Sequence, residues 1–477
     1  MKTCLNGGLV LLLLVATAAT GEEVQELRER LTEREDENRV REPFTVEVFG
    51  RPLSLNGQYE VALEYFDRLT LGDVTNRYGR VLLGQELEGE AFYSFGPALS
   101  LFAQVRLVLE KDLDSDTPQG VSDLFVERGE LWLYAGQVAG LPLSFEVGRL
   151  DFEDDRLWWW DEDLDAVRVT YENAAETFEL ALAAARELFS ARSDRSFVEP
   201  KHEKLFRLIA EASWDWHPNH AIQFFALVHE DHSPTEQPGD IIPPDREDDS
   251  DAELIWVGIR VAGAADFDKR GVLGYWLDVG AVQGDERVVE TEDNEVQDVT
   301  SQDVRGWALD AGFTWLLPVT ADPRITVGYA IGSGDSNPDD GTDRAFRQTG
   351  LHANEPGFGG VQRFNGYGRL LEPELSNLAI FTASIGCSLF TWSSVDLVFH
   401  DYRLVERAGS LRDSRLEAEL TGEHRELGQG VDLVLAFEEW ERVEIEISGS
   451  VFRAGQAFGD DRGEWIFGSF VAVRVAF

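Results

Sequence analysis

The stretch Trp465 to Phe477, WIFGSFVAVRVAF, alternates without a break. Trp465, Phe467, Val471, Val473, Val475 and Phe477 share one parity, while Gly468, Ala472, Arg474 and Ala476 share the other. Successive side chains of a strand leave on opposite faces, so one face is apolar and aromatic and the other small or charged. Such a strand wants lipid on one side and water on the other, which is the pattern of a membrane-spanning β-strand.

The rest of the chain repeats the pattern. Leu53, Leu55, Tyr59, Val61, Leu63 and Tyr65 alternate with Ser54, Asn56, Gln58, Glu60 and Glu64, and similar alternation recurs from residue 80 to 454. The count is about eighteen strands, an even number, and the expected fold is all-β: a transmembrane antiparallel β-barrel of the bacterial outer-membrane type. After the first residues no apolar run is long enough for a transmembrane helix. The connections sort by parity as such a barrel requires. FGPA (95–98), GQVAGL (136–141), NAA (173–175), HPNH (217–220), PVTADP (318–323), TWSS (391–394) and EEWE (438–441) are short. The alternate set holds 231–250, 285–303, 335–375 and 406–427, which are long and polar. This predicts both termini in the periplasm and the long loops outside. Trp214, Trp216, Trp307, Trp315, Trp465, Tyr59 and Tyr65 fall near strand ends, where aromatic girdles form. A barrel of this size encloses water, since about eight strands already fill with side chains, so a conduit is the expected function.

Three regions are expected. Residues 1–19 carry Lys2, the apolar run LVLLLLV and then ATAA, the build of a secretory signal peptide. Residues 20–50 read as a charged periplasmic helix or arm, with Val24, Leu27 and Leu31 too few to define a coiled coil. Residues 51–477 are the barrel. Cys4 lies in the signal, leaving Cys387 alone in the mature chain, which excludes an internal disulfide or a cysteine metal cluster.

Two stretches carry more than alternation: GRLDFEDDRLWWWDEDLDAVRV (148–169), and FRQTGLHANEPGFGGVQRFNGYGRLLEPELSNL (346–378) preceded by GYAIGSGD (328–335). At these residues, and over most of 50–477, the chain resembles the alginate-export family of outer-membrane proteins. The resemblance implies a barrel of about eighteen strands that moves an anionic polyuronate out of the cell, and it fixes fold better than cargo.

A polyuronate conduit needs lumenal cations, ideally Arg, whose planar fork grips carboxylates. The candidate pore-lining, anion-binding residues are Arg106, Arg128, Arg149, Arg168, Asp165, Arg207, Arg260, Arg363, Arg369 and Arg474. Arg106, Arg168, Arg207, Arg260 and Arg474 lie on the polar parity of their strands. Arg128 and Arg149 share parity with apolar neighbours, so a bulge or strand end must decide where they point. Arg347, Arg363 and Arg369 lie in or beside the longest loop, which could fold inward as a constriction. The bland reading of each arginine is a lumenal residue paired with Asp or Glu.

Charge argues the other way. Lys+Arg total 42 against 89 Asp+Glu, a net charge of −47, which repels polyanions unless the acids cluster away from the pore. Much of the excess does fall in outer loops, and salt shortens its reach to roughly 8 Å. Salt adaptation is one explanation and a pore for neutral or cationic solutes is its rival. Asp335, Asn337, Asp339 and Asp343 nearly spell a calcium loop, with Gly341 one position late, so a bound Ca2+ in an outer loop is the one cofactor expectation. HPNH (217–220) and HEDH (229–232) lack helical i, i+4 spacing, and the serine of GSGDS (332–336) has no patterned base, so no enzyme is expected. Three function classes stay open: a channel for an anionic polysaccharide or its oligomers, a diffusion porin for small solutes, and a structural or adhesive barrel. Expected partners are outer-membrane lipid, the transported solute and a periplasmic export partner, with no nucleic acid.

Overall fold

The computed structural model describes residues 43–67, 69–71, 80–113, 122–233, 237–243, 250–292, 294–358, 364–416 and 418–477. The expected signal peptide, most of the charged arm and Arg363 lie outside the described residues.

The strands, in chain order, are β1 (Phe44–Val48), β2 (Arg51–Asp67), β3 (Arg80–Gly96), β4 (Leu99–Asp112), β5 (Ser122–Ala135), β6 (Leu143–Glu153) and β7 (Asp161–Glu172). There follow β8 (Phe178–Ala185), β9 (Leu205–His217), β10 (His220–Asp231), β11 (Ser250–Asp266), β12 (Val272–Glu292), β13 (Glu295–Leu316) and β14 (Arg324–Gly332). Then come β15 (Thr342–Asp343), β16 (Leu378–Ser388), β17 (Ser393–Leu404), β18 (Glu426–Trp440), β19 (Val443–Ala454) and β20 (Trp465–Ala476). Eighteen of them form one closed antiparallel barrel. The ring shuts where Gln58–Asp67 of β2 pairs with Ala476–Phe467 of β20. Closure removes the sheet edges, the condition for strands to cross a bilayer.

The other two strands are short accessories. β15 adds two residues in parallel to β13. β1 folds back on β2, Phe44 opposite Leu55, through a turn whose Phe49 and Gly50 both have positive φ (52° and 77°). That is the two-residue hairpin geometry that matches strand twist. The last residues of the expected arm are thus a strand, because TVEV already alternates.

The two faces separate as the alternation requires. Leu63, Leu87, Val105, Leu133, Val147, Val167, Leu182, Phe224, Val257, Val279, Phe313, Phe381, Leu397, Leu433 and Val471 are all exposed on the outer face. Ser54, Glu88, Gln104, Glu146, Gln223, Thr326, Ser384, Asp432 and Ser450 are buried on the inner one. The seven girdle aromatics are all exposed, from Tyr59 at 37% to Trp307 at 51%. Two departures stand out. The expected loop 285–303 is instead a β12–β13 hairpin paired as far as Glu292 opposite Glu295. The wall also opens at the β6–β7 hairpin, and that opening builds the site.

Candidate functional site

β5 pairs with β6 only from Leu131–Arg149 to Ala135–Phe145, and β7 pairs with β8 only from Ala166–Ala185 to Glu172–Glu179. Beyond these levels the β6–β7 hairpin stays paired to itself, out to Glu153 opposite Asp161, but has left the wall on both flanks. The cause lies in its parity. Following Phe145 and Val147, the outward positions would be Arg149, Asp151 and Glu153, faced by Asp161, Asp163 and Asp165. Six charges cannot face lipid, so the tip turns inward. The segment after β8 crosses the gap: Arg128 N–H donates to Ala191 O (2.9 Å), Ser193 N–H to Val126 O (2.9 Å), and Arg192 bridges Glu127.

Asp154 shapes the tip. Its Oδ2 accepts the Trp159 and Trp160 N–H groups (2.7 and 3.0 Å) and its Oδ1 the Arg156 N–H (3.1 Å). The turn delivers Trp158, Trp159 and Trp160 into the lumen, each at most 2% exposed. Trp159 stacks on Phe225 of β10 (4.9 Å between centroids) and lies on Gly258 of β11, where a Cβ would come within 2.0 Å of its ring. Gly280 of β12, the register partner of Gly258, leaves room for Trp158 and Trp159 in the same way. A wall of larger residues could not seat the indoles.

Under the tryptophans runs a buried ionic chain. Arg260, 0% exposed, pairs with Asp154 and Asp278 (2.6 Å each). Arg156 pairs with Asp278 (3.2 Å) and Asp310 (2.9 Å) and lies 4.4 Å over Trp276. Asp310 also accepts the Trp276 Nε1–H (2.9 Å) and the Tyr367 hydroxyl (3.0 Å), and that hydroxyl accepts the Trp158 Nε1–H (2.7 Å).

Tyr367 belongs to the second inward segment, residues 333–358 and 364–377. It leaves β14 against Gly306, whose Cβ would meet the Phe346 backbone at 2.5 Å. Arg347 pairs with Glu286 and with Asp343 (2.7 Å), and its carbonyl accepts Trp256 Nε1–H (2.8 Å). Gln348 and Asn354 bond each other through their amides (2.8 and 2.9 Å), and Gln348 also donates to Trp158 O (3.3 Å). Farther on, Leu370 meets Gly468 of β20, and Tyr402 of β17 donates to Tyr367 O (2.8 Å). The segment therefore crosses from β13–β14 to β17–β20. One continuous apolar cluster joins both inward segments to the walls, including Trp158–Trp160, Phe346, Leu351, Leu371, Leu375 and Phe452. The lumen is crossed at the end remote from the termini. Within the segment, burial pushes the Glu374 carboxyl up to about 7 and, against Arg415, that of Glu372 to about 8.

The candidate arginines fall into distinct environments. Arg106, Arg168 and Arg474 do face inward, each against carboxylates: Arg106 against Glu88 (3.3 Å) and Asp163 (3.6 Å), Arg168 against Glu146 (2.6 Å), and Arg474 against Glu60, Glu446 (3.0 Å) and Glu444 (3.8 Å). Arg260 lies inside the ionic chain. Arg128 sits beside a register shift at Gly129 and donates to Asp165 (2.9 Å), the register partner of Arg149. Arg149 and Arg207 are 7% and 3% exposed. Arg369 lies 3.7 Å over the Phe470 ring of β20, partly exposed, with no carboxylate of the described residues within salt-bridge distance. Asp335, Asn337, Asp339 and Asp343 do not converge: Asp335 faces Arg344 (3.4 Å), and Asp343 pairs with Arg347. Among the described residues no group of three His, Cys, Asp or Glu is set to hold a metal.

Arg156, Arg324, Asp310 and Tyr367 are central here without having been singled out. Arg324 makes a two-pronged pair with Asp396 (Nε to Oδ1, 2.8 Å) over Gly386. Arg156 was legible in DDRLWWW, where an arginine next to an Asp-turn and three indoles has to be drawn inside with them.

A closed ring of eighteen antiparallel strands, apolar outside and polar within, with loops packed into its lumen, defines a β-barrel of the outer-membrane class. The chain belongs to the alginate export family, whose model matches residues 51–467. It is 25% identical over 426 residues to the alginate production protein AlgE of Pseudomonas aeruginosa, covering 82% of this chain and 85% of that one. It is 32% identical over 147 residues to the protein of the same name from Azotobacter vinelandii, 28% of either chain. Among solved structures it resembles the Pseudomonas aeruginosa barrels OccK8 (OprE), OpdK and OccK5 (OpdH), with TM-scores of 0.54, 0.53 and 0.52 at 10%, 8% and 10% identity. These cover 89% of this chain and 98%, 99% and 98% of theirs, and they bear on the fold alone.

Proposed function

We propose that the protein is an outer-membrane channel that passes an anionic polysaccharide of the alginate type, or its oligomers, with both termini in the periplasm. Family membership and the homology to two alginate production proteins support the cargo class. The observation that carries the reading is Arg369. Arg106, Arg168, Arg474 and Arg324 are committed to carboxylates, so they shape the wall and offer little to a passing anion. Arg369 belongs to the crossing segment, lies over Phe470 of the wall, and offers its fork to a uronate carboxylate. Residues 333–358 and 364–377, which cross the lumen, act as the gate. A periplasmic export partner would meet the β1 end.

The test is single-channel recording in a planar bilayer under a salt gradient, then with oligouronate added. Reversible block by oligouronate, weakened at least fivefold by Arg369→Gln, is the expected result. Cation selectivity without block, in wild type and variant alike, would replace the reading with a diffusion porin.

A further inference from the structure

Behind the segment that closes the wall lies a group of cations that the conduit does not use. Arg149 projects from β6 and Arg207 from β9, both more than nine-tenths buried. Among the described residues the Nε and Nη1 of Arg149 and the Nε of Arg207 make no hydrogen bond, and neither guanidinium has a carboxylate within salt-bridge distance. Arg207 Nη2 lies 3.3 Å from His202 Nδ1, and His229, the register partner of Arg207 on β10, has a buried Nδ1 without a partner. Glu162 and Glu187 both lie in the field of these two arginines without pairing to them. The nearest carboxylate in register, Asp165, is already taken by Arg128 (2.9 Å) and by the Leu188 N–H (3.1 Å). Burial also pushes the Glu187 carboxyl up, toward its neutral form. Buried guanidinium protons left without acceptors are costly, so an acceptor belongs between them. On the same segment Leu188 (61%) and Phe189 (71%) are exposed, an apolar surface on its outer side.

We infer that Arg149, Arg207 and His229 form a site for a phosphate-type oxyanion in the barrel wall, separate from the conduit and closed by residues 186–193. Donors from three strands suit a tetrahedral group that accepts from several directions. The apolar outer surface of Leu188 and Phe189 makes a phospholipid headgroup, its chains lying outside, one source of that group; free phosphate is the other.

The test is calorimetric titration of inorganic phosphate into the delipidated full-length protein in detergent, repeated in nanodiscs containing phosphatidylglycerol. Saturable binding is expected in wild type and in Arg369→Gln. Arg149→Gln and Arg207→Gln should weaken it at least tenfold. Arg207→Lys, which keeps the buried charge and loses the fork, should weaken it severalfold in a barrel that still shows normal heat-modifiability on gels. Loss of phosphate binding in nanodiscs identifies the lipid headgroup as occupant, and its retention identifies free phosphate. Absence of saturable binding in detergent, or equal binding in wild type and the Arg149→Gln/Arg207→Gln double variant, overturns the site.

Discussion

Asp310 serves four donors' worth of chemistry with two oxygens: Arg156, Trp276 and Tyr367 end on it, and through Tyr367 so does Trp158. Removing it takes one of two carboxylates from Arg156, which keeps Asp278, and leaves the Trp276 and Tyr367 hydrogens without their acceptor, so Asp310→Ala should cost about 1–3 kcal/mol and free the inward segments. Thermal unfolding in detergent measures the first effect and a raised open probability the second. Arg474 is the opposite case. It stands among Glu60, Glu444 and Glu446, and Arg474→Gln leaves three carboxylates facing the lumen. The reversal potential under a salt gradient should then move toward cation selectivity. Parity in the sequence sufficed to put Arg106, Arg168 and Arg474 on the inner wall. What it did not supply was how fully their charge is spent on neighbours, because that depends on the register that sets a particular carboxylate of the adjacent strand beside each arginine.

At the scale of elements, the β6–β7 hairpin and the second inward segment, 333–358 and 364–377, behave as one inserted body keyed to the wall by glycines. Trp159→Ala removes an indole from between Phe225 and Gly258 and should destabilise the barrel by about 3–5 kcal/mol, read as a lowered unfolding temperature. The longer segment carries its own proton dependence. Glu374 and Glu372 titrate higher in the docked state than in a released one, so protonation favours docking. That contribution is fully present below about pH 4.5, the unperturbed value, and is lost as pH rises through 7 to 8. Open probability should therefore rise between pH 5.5 and 8.5, and Glu374→Gln should flatten the rise. The inward course of the hairpin was half legible. Arg149, Asp151, Asp163 and Asp165 at outward parity forbid a lipid-facing wall, yet nothing local says whether such a tip rises into water or turns into the lumen. Phe225, Gly258 and Gly280, which receive it, lie on strands well downstream, β10 to β12.

At the scale of the whole molecule, the strand count and the sorting of short and long connections were readable because lipid outside and water inside impose period two on every spanning segment. The 285–303 region was not, since its acidic tip alternates no less than its neighbours and continues the ladder of β12 and β13 beyond the membrane. The net charge of −47 likewise says little about the conduit while the lumenal acids hold arginines in place. The meeting of β2 with β20 sets a condition on biogenesis. Residues 58–67 must wait for residues 467–476, so the sealing contact spans almost the full chain and comes last in any order of synthesis. Until then two unsatisfied strand edges are open to aggregation, and the nascent chain depends on chaperones for its whole journey to the membrane.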